Sequence, residues 1–192
     1  MIDTRTFFAG ARPALVLIDL QKGVVARETL PHSAGEVVDR SRRLVEAFRA
    51  KGFPVVFVHV SFAPDDADAL APLLDGPPQL GIRPDGWDEL VPELGVRAGD
   101  VVVRKRNWGA FYGTDLDLQL RRRNVTHIVF GGISTNIGVE SSARDAFERN
   151  YKLLFVEDAM AAMTREEHAH AVSGVFTRMG LVRSTKDVLT AL

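Results

Sequence analysis

The sequence predicts an α/β protein in which helices cover both faces of a parallel sheet. Short apolar runs recur along the chain, and helical patterns separate them. The runs lack alternation of apolar and polar residues, which is typical of strands buried on both faces of a parallel sheet. At 192 residues the chain has the length of one α/β domain, so we expect a single domain over residues 1–192.

Six strands are predicted, each from a short apolar run. The first is apolar from Ala14 to Ile18 and ends at Asp19. The fourth leads directly into a glycine-rich turn that begins at Gly131. The predicted strands cover residues 14–18, 54–59, 101–103, 125–130, 153–156 and 181–183.

Helices are predicted between the strands. From Glu36 onward, apolar residues recur at the spacing of one helix face, and Gly52 ends that helix. Thr114 is the predicted cap of the helix before the fourth strand. Residues 63–99 are rich in Pro, Gly and Asp, which predicts a long binding loop or lid with one short helix near Trp87. The predicted helices cover residues 36–51, 114–120, 136–150, 165–179 and 184–192.

Composition excludes several classes of function. A formal net charge of −1 gives no electrostatic reason to expect binding to nucleic acid or to an anionic membrane. No apolar run approaches the roughly 20 residues of a membrane span, and the N-terminus does not resemble a signal peptide. The chain has no cysteine, which excludes disulfides and thiolate metal sites and is compatible with a reducing cytoplasm. We therefore expect a cytoplasmic protein whose partner is a small-molecule substrate.

The most informative segment is the turn and helix over residues 131–147, which read GGISTNIGVESSARDAF. A turn between a strand and a helix can hold backbone N–H groups beside a ligand. In open parallel sheets, ligands bind at the carboxyl ends of the strands. Asp19, His59 and Lys105 also directly follow or end predicted strands. These residues should therefore converge with the turn on one crevice.

Three blocks of the sequence resemble the isochorismatase-like hydrolase family. Residues 15–21 (LVLIDLQ) resemble the opening strand with its catalytic Asp, and residues 105–116 (KRNWGAFYGTDL) resemble the block that bears the catalytic Lys. The third block is the turn and helix over residues 131–147. The three blocks occur in the family's order and spacing and cover nearly the whole chain.

The resemblance implies a three-layer αβα, Rossmann-like isochorismatase fold. Its six-stranded parallel sheet would have the order 3-2-1-4-5-6, and a cis peptide bond would join Ile133 to Ser134. The resemblance also suggests a homo-oligomer, for which the loop over residues 63–99 with Trp87 offers apolar surface. It implies no cofactor and no metal ion.

The turn usually carries a nucleophilic Cys where this chain has Gly138. In the Cys-bearing members an Asp takes the thiol proton, a Lys holds the charge, and the thiolate attacks an amide or related carbonyl. The isochorismatases themselves carry Gly here, and their Asp protonates a vinyl ether as a general acid. On that route Asp19 needs a raised pKa, which burial favours and Lys105 opposes. The missing thiol also predicts space at Gly138 for a ring or a water molecule.

The segment after the second strand departs from the isochorismatases proper. They tend to present a substrate-binding Gln there, whereas this chain has Val60 between His59 and Ser61. Val60 cannot make the hydrogen bonds of a Gln. The difference argues against isochorismate itself as the substrate.

The resemblance assigns candidate site residues within the three blocks. The candidate catalytic residues are Asp19, Lys105 and Gly138. The candidate substrate-binding residues are Gln21, Trp108, Phe111, Ser134, Thr135 and Ile137. The aromatic residues are equally consistent with packing in the core or at a subunit interface. The hydroxyl residues of the turn are also candidate nucleophiles, but none has an evident adjacent base: Ser134, Thr135, Ser141 and Ser142.

The histidines do not predict a metal site. The nicotinamidase-like relatives use an Asp and paired His residues after the second strand, but His59 has no such second His. His168 and His170 are two residues apart on a predicted helix, so they cannot share one face and are predicted to be surface residues.

Two classes of function remain open. The first is a metal-independent, non-thiol hydrolase that acts on a small carboxylate or cyclic substrate through Asp19 and Lys105. The second is a catalytically silent small-molecule-binding or scaffolding relative with the same fold. The geometry of the crevice distinguishes them: a hydrolase should hold the Asp19 carboxylate and the Lys105 ammonium within contact distance around an ordered water, whereas a silent relative would keep the pocket but fill or block it.

Overall fold

One parallel sheet of six strands organises the chain. The computed structural model describes residues 2–76 and 83–192. The strands are β1 (Pro13–Ile18), β2 (Val55–Val60), β3 (Val101–Lys105), β4 (His127–Ile133), β5 (Lys152–Ala161) and β6 (Gly180–Arg183). Their order in the sheet is β3-β2-β1-β4-β5-β6, and every neighbouring pair is parallel. The predicted α/β fold class and strand order are confirmed.

Seven α-helices lie between or outside the strands. They are α1 (Thr4–Phe8), α2 (Lys22–Val25), α3 (Ala34–Ala50), α4 (Leu116–Arg122), α5 (Glu140–Glu148), α6 (Arg165–Ala169) and α7 (Thr185–Ala191) within the described residues. The prediction of the long helix α3 is confirmed, and a capping box explains its start: Ser33 and Glu36 each accept the other's backbone N–H. Thr114 accepts the N–H of Leu116 with its hydroxyl group at 3.2 Å, one residue before the cap position Asp115.

The helices of the structure differ from the predicted ones in three respects. The short helices α1 and α2 were not predicted. The short helix expected near Trp87 is a 3₁₀ helix that lies further along the same loop, at Pro92–Leu94. The helix expected over residues 165–179 is broken after Ala169 into a π-helical turn and a 3₁₀ turn. Part of the predicted 63–99 loop, residues 77–82, lies outside the described residues.

The helices form two layers, one on each face of the sheet. Side chains of β1 alternate between them, as strand geometry requires. Val16 and Ile18 pack in the core under α4 and α5. Leu15 and Leu17 pack in the core under α3. The result is the predicted three-layer arrangement, with the carboxyl ends of the strands along one edge.

A close backbone approach brings the turn after β4 against the end of β1. Gly132 has a φ of 125°, and a Cβ at this position would lie 2.2 Å from the carbonyl oxygen of Ile18. Only glycine allows this contact. Asp19, the next residue of the chain, therefore lies beside the turn.

Within residues 2–76 and 83–192, no helix is long and apolar enough to cross a membrane.

Candidate active site

A buried ion pair lies at the carboxyl ends of β1 and β3. Asp19 follows β1, and Lys105 is the last residue of β3. The Lys105 Nζ is 2.7 Å from the Asp19 Oδ2. Asp19 is 6% exposed and Lys105 is 2% exposed. Because β2 lies between β1 and β3 in the sheet, the lysine side chain crosses the end of β2 to make this contact.

The two oxygens of the Asp19 carboxyl group have different surroundings. Oδ2 contacts the Lys105 ammonium, which also donates to the carbonyl oxygen of Trp108 at 2.7 Å. Oδ1 is buried and, within the described part of the chain, has no hydrogen-bond partner. Burial raises the pKa of Asp19 above its ordinary value, although the charges of Lys105 and His59 oppose the shift. The site therefore holds a carboxyl group that keeps its proton to a higher pH than an exposed Asp.

Gly138 lies directly against the ion pair. A Cβ at this position would be 2.9 Å from the Asp19 Oδ2, 2.9 Å from the Ile18 Cγ2 and 3.3 Å from the Lys105 Nζ. The Asp19 carboxylate and the Ile18 side chain therefore leave no free room for a Cβ at this position, while space for a ring or a water molecule beside Gly138 stays a prediction. The backbone conformation explains the position of the carboxylate, since Asp19 has a φ of 54° at the end of β1.

We expect Gly138→Ala to lower the free energy of unfolding by about 1–3 kcal/mol, because the methyl group overpacks the site. Gly35→Ala is the matched control. Gly35 is also in a helical segment, but a Cβ there would contact nothing within 4 Å, so this substitution should stabilise α3 by up to about 1 kcal/mol. Urea denaturation of both variants measures the difference. Equal stability of Gly138→Ala and the wild type would contradict this prediction, because the Asp19 carboxylate would then move aside without lowering the free energy of unfolding.

The turn after β4 has the predicted cis peptide bond between Ile133 and Ser134. A π-helical turn at Thr135–Val139 follows and leads into α5. The carbonyl oxygen of Ser134 accepts the N–H groups of Ile137 and Val139 at 3.3 and 3.2 Å. The segment that carries Gly138 is thus wound more widely than an α-helix, which was not expected from the sequence.

His168 is not a surface residue, and that prediction is wrong. The side chain is buried, and its Nδ1 is 2.9 Å from the hydroxyl group of the buried Thr135. Burial, with a smaller contribution from His32, lowers the pKa of His168 to about 4. One sign was present in the sequence: His168 lies three residues before Ala171, so both residues are on the face of the segment that packs into the core. His170 is exposed, as predicted.

Two candidate substrate-binding side chains have other contacts. The side-chain amide of Gln21 donates to the carbonyl oxygens of Val60 and Trp87 and accepts the N–H of Val60. Phe111 lies in the core under α4 and α5 beside Tyr151. The hydrogen bonds of Gln21 hold the end of β2, and Phe111 contributes to the hydrophobic core.

The remaining candidates lie on the turn or on the loop that follows Lys105. Ser134 and Ile137 are half-buried on the turn, and Thr135 is buried. The side chain of Trp108 is 62% exposed, although its carbonyl oxygen contacts Lys105. The exposed indole ring is therefore attached to backbone that belongs to the site.

His59 lies on the opposite face of the sheet from Lys105. It alternates with Val58 along β2, which places it on the α3 side, and its Nδ1 is 2.9 Å from the carbonyl oxygen of Asp88. The Asp88 carboxylate in turn accepts the hydroxyl group of Ser61 at 2.6 Å. Among residues 2–76 and 83–192, no group of three His, Asp or Glu side chains could hold a metal ion.

Two adjoining clefts are formed at the start of α3, away from the ion pair. They have volumes of about 500 and about 400 Å³ and share Val25, Ala34 and Gly35. Neither Asp19 nor Lys105 is among their described lining residues.

Comparison with known proteins places the chain in a family. The model of the isochorismatase domain matches residues 13–187, so the chain belongs to the isochorismatase family and has the hydrolase fold of that family. The isochorismatase family protein YwoC of Bacillus subtilis (strain 168) is 49% identical over 180 residues, which are 93% of each chain.

Solved structures give the same assignment. An isochorismatase family protein from Burkholderia thailandensis has a TM-score of 0.91 and 48% identity, covering 94% of this chain and 95% of that one. The N-carbamoylsarcosine amidase from Thermoplasma acidophilum has a TM-score of 0.73 and 31% identity, covering 91% of this chain and 96% of that one. The second structure shows that the same fold supports hydrolysis in a relative of this chain.

Proposed function

We propose that the chain is a metal-independent, non-thiol hydrolase in which Asp19 transfers a proton to a small-molecule substrate. The observation that carries the proposal is that the two oxygens of the Asp19 carboxyl group differ in their hydrogen-bond partners. Oδ2 accepts from Lys105 at 2.7 Å, whereas the buried Oδ1 has no partner among the described residues. A proton on Oδ1 is held by no acceptor among the described residues, so it is the one available for transfer.

The electrostatics of the pair support a general acid. Burial raises the pKa of Asp19, so the protonated form persists to a higher pH than in an exposed Asp. Once the proton has left, the Lys105 ammonium stabilises the carboxylate that remains. Before the transfer, the charge of Lys105 lowers the pKa of Asp19 and so disfavours its protonated form. After the transfer, the same charge stabilises the Asp19 carboxylate.

Gly138 fits this chemistry because no covalent intermediate is required. With a vinyl ether, the Asp19 proton adds to the alkene carbon, and water adds to the resulting oxocarbenium ion. The hemiketal then releases an alcohol and a carbonyl compound, and the proton lost by the water returns to Asp19. With an amide or N-carbamoyl acid, the Asp19 proton goes to the leaving nitrogen, water attacks the carbonyl carbon, and the C–N bond breaks. The proton lost by the water returns to the Asp19 carboxylate.

A panel of vinyl ethers, amides and N-carbamoyl acids tests the proposal. We expect the purified protein to hydrolyse a member of the panel, and EDTA to leave the rate unchanged because no step uses a metal ion. Product formation is followed by chromatography. Loss of all turnover after EDTA treatment, restored by a divalent cation, would contradict metal independence.

A catalytically silent relative is the second candidate, and the burial of the site favours it. Asp19 and Lys105 are almost completely covered, and the two clefts near α3 lie elsewhere. A silent relative would bind small molecules and stabilise on binding without turnover. Thermal shifts with the same panel, in the absence of any product, would favour this candidate over the hydrolase.

We also propose that the chain forms a homo-oligomer. The side chain of Trp87 is stacked on Phe62, so its apolar surface is partly covered within the chain. Three exposed leucines of the same loop, Leu70, Leu73 and Leu74, provide apolar surface for a partner copy. Light scattering should give the mass of more than one chain, and Leu73→Glu should lower that mass. The control Leu118→Glu, on the exposed face of α4, should not, and a monomer at micromolar concentration would contradict the proposal.

A further inference from the structure

The hydroxyl group of Ser142 bridges two parts of the site that are distant in the chain. Ser142 is completely buried on α5. Its Oγ donates to the carbonyl oxygen of Gly138 at 2.6 Å and accepts the N–H of Ala110 at 3.0 Å. Gly138 lies against the Asp19 carboxylate, and Ala110 is in the loop over residues 106–113 that follows Lys105.

The same loop holds the lysine ammonium. Lys105 donates to the carbonyl oxygen of Trp108, two residues before Ala110, as well as to Asp19. The loop packs directly on α5, since a Cβ at Gly109 would lie 3.0 Å from the Asp145 carboxylate. Any change in the distance between the loop and α5 therefore moves an acceptor of Lys105 relative to Asp19.

A serine in a helix often donates to the carbonyl oxygen four residues earlier, so the bond to Gly138 alone would have only local meaning. The second bond differs, because it joins residues 32 positions apart. The hydroxyl group donates its only hydrogen to a carbonyl oxygen rather than to a base, so it is also unsuited to act as a nucleophile.

We propose that Ser142 is a positioning residue of the Asp19–Lys105 site, one that sets the loop over residues 106–113 against Gly138 and so holds Lys105 in contact with Asp19. This inference rests on the proposed function, in which the contact controls the proton on Asp19. Ser142 touches neither the substrate nor the reacting atoms, and it acts through the loop and the turn.

The chain offers a matched control in Ser41. This serine is also completely buried in a helix, but it lies on α3 in the opposite layer, and its Oγ has no hydrogen-bond partner within the described residues. Ser41→Ala removes a buried hydroxyl group without breaking a hydrogen bond among the described residues. Ser142→Ala removes the same atom and leaves the buried N–H of Ala110 without its acceptor.

The test is a pH titration of the Asp19 carboxyl carbon by NMR in the full chain. In Ser142→Ala we expect the pKa of Asp19 to rise above its value in the wild type, because Lys105, whose positive charge lowers this pKa, moves away. Ser142→Thr keeps the hydroxyl group and should restore the wild-type titration, and Ser41→Ala should leave it unchanged. A purely structural role would lower stability in Ser142→Ala without moving the Asp19 titration, and that result would overturn the proposal.

A second variant covers the case in which Ser142→Ala fails to fold. Ser142→Cys keeps a side chain at this position but forms weaker hydrogen bonds, so the pKa of Asp19 should shift in the same direction by a smaller amount. An unshifted titration in Ser142→Cys would also overturn the proposal. The titration requires no substrate, so a shifted Asp19 together with an inactive wild type would contradict the proposed hydrolase and leave the positioning role intact.

Discussion

Asp19→Asn should lower kcat for any substrate that the wild type hydrolyses by about 10²- to 10⁴-fold, the usual contribution of a general acid. Asn has nearly the same shape as Asp, and its carbonyl oxygen can still accept from Lys105. It cannot release a proton from the position of Oδ1. Steady-state kinetics on the best substrate of the panel measures the loss.

The control for this substitution is a second buried Asp–cation pair at the start of β3. Asp100 pairs with Arg49, and both side chains are largely buried. Asp100→Asn, like Asp19→Asn, replaces the carboxyl group of a buried pair with an amide, so both variants should be less stable than the wild type. Only Asp19→Asn should lose activity. Equal losses of kcat in the two variants would attribute the effect to stability rather than to proton transfer.

The pH dependence of the wild type follows from the same assignment. A general acid works in its protonated form, so kcat/KM should fall as the pH rises through the pKa of Asp19. Because burial raises this pKa, the activity should extend to a higher pH than an exposed Asp would allow. A rate that increases through this range would instead identify Asp19 as a base.

The sequence predicted the strands and the convergence of the main blocks for a simple physical reason. Strands such as β1 are apolar at every position, and residues that follow parallel strands meet at one edge of the sheet. Asp19 and Lys105 are therefore in contact, as the sequence pattern predicted. By contrast, α1 is a five-residue helix whose Phe7 packs into the core, and short helices of this kind depend on tertiary contacts that periodicity does not reveal.

Two features of the site depend on backbone geometry that residue types do not specify. Asp19 has a positive φ, and its carboxylate lies so close to Gly138 that a Cβ there would be 2.9 Å from Oδ2. The break after Ala169 ends the regular α-helix just beyond His168. The sequence pattern assumed one continuous helix there and placed His168 on the surface.

The stability of the protein should decrease as the pH falls from about 6.5 to about 4, and His168 should be a main cause. The folded protein lowers the pKa of this side chain to about 4 from its ordinary value of 6.5. In this range the unfolded chain binds a proton at His168 and the folded chain does not, so added protons favour unfolding. Stability from this group is fully present above 6.5 and is lost by about pH 4. At about 1.4 kcal/mol per pKa unit, the loss is about 3 kcal/mol.

The geometry around Thr135 shows why the proton is excluded from the folded state. His168 is buried against the Thr135 hydroxyl group and beside the His32 ring, and within the described residues no carboxylate contributes to its pKa. A charged imidazolium would lose hydration without gaining a counterion. In the tautomer whose Nδ1 accepts from the Thr135 hydroxyl group, protonation would also remove that lone pair and break this hydrogen bond.

His168→Asn tests this prediction because it removes the titration and keeps an acceptor near the position of Nδ1. Urea denaturation between pH 4 and 7 should show a smaller decrease of stability with falling pH than in the wild type. Part of the slope should remain, since burial also lowers the pKa values of His32 and His127. His170→Asn, at an exposed position two residues away, should keep the wild-type slope. If His168→Asn also keeps the wild-type dependence of stability on pH, then His168 gains its proton in the folded state. In that case the imidazolium donates the hydrogen bond to Thr135 and the hydroxyl group accepts it.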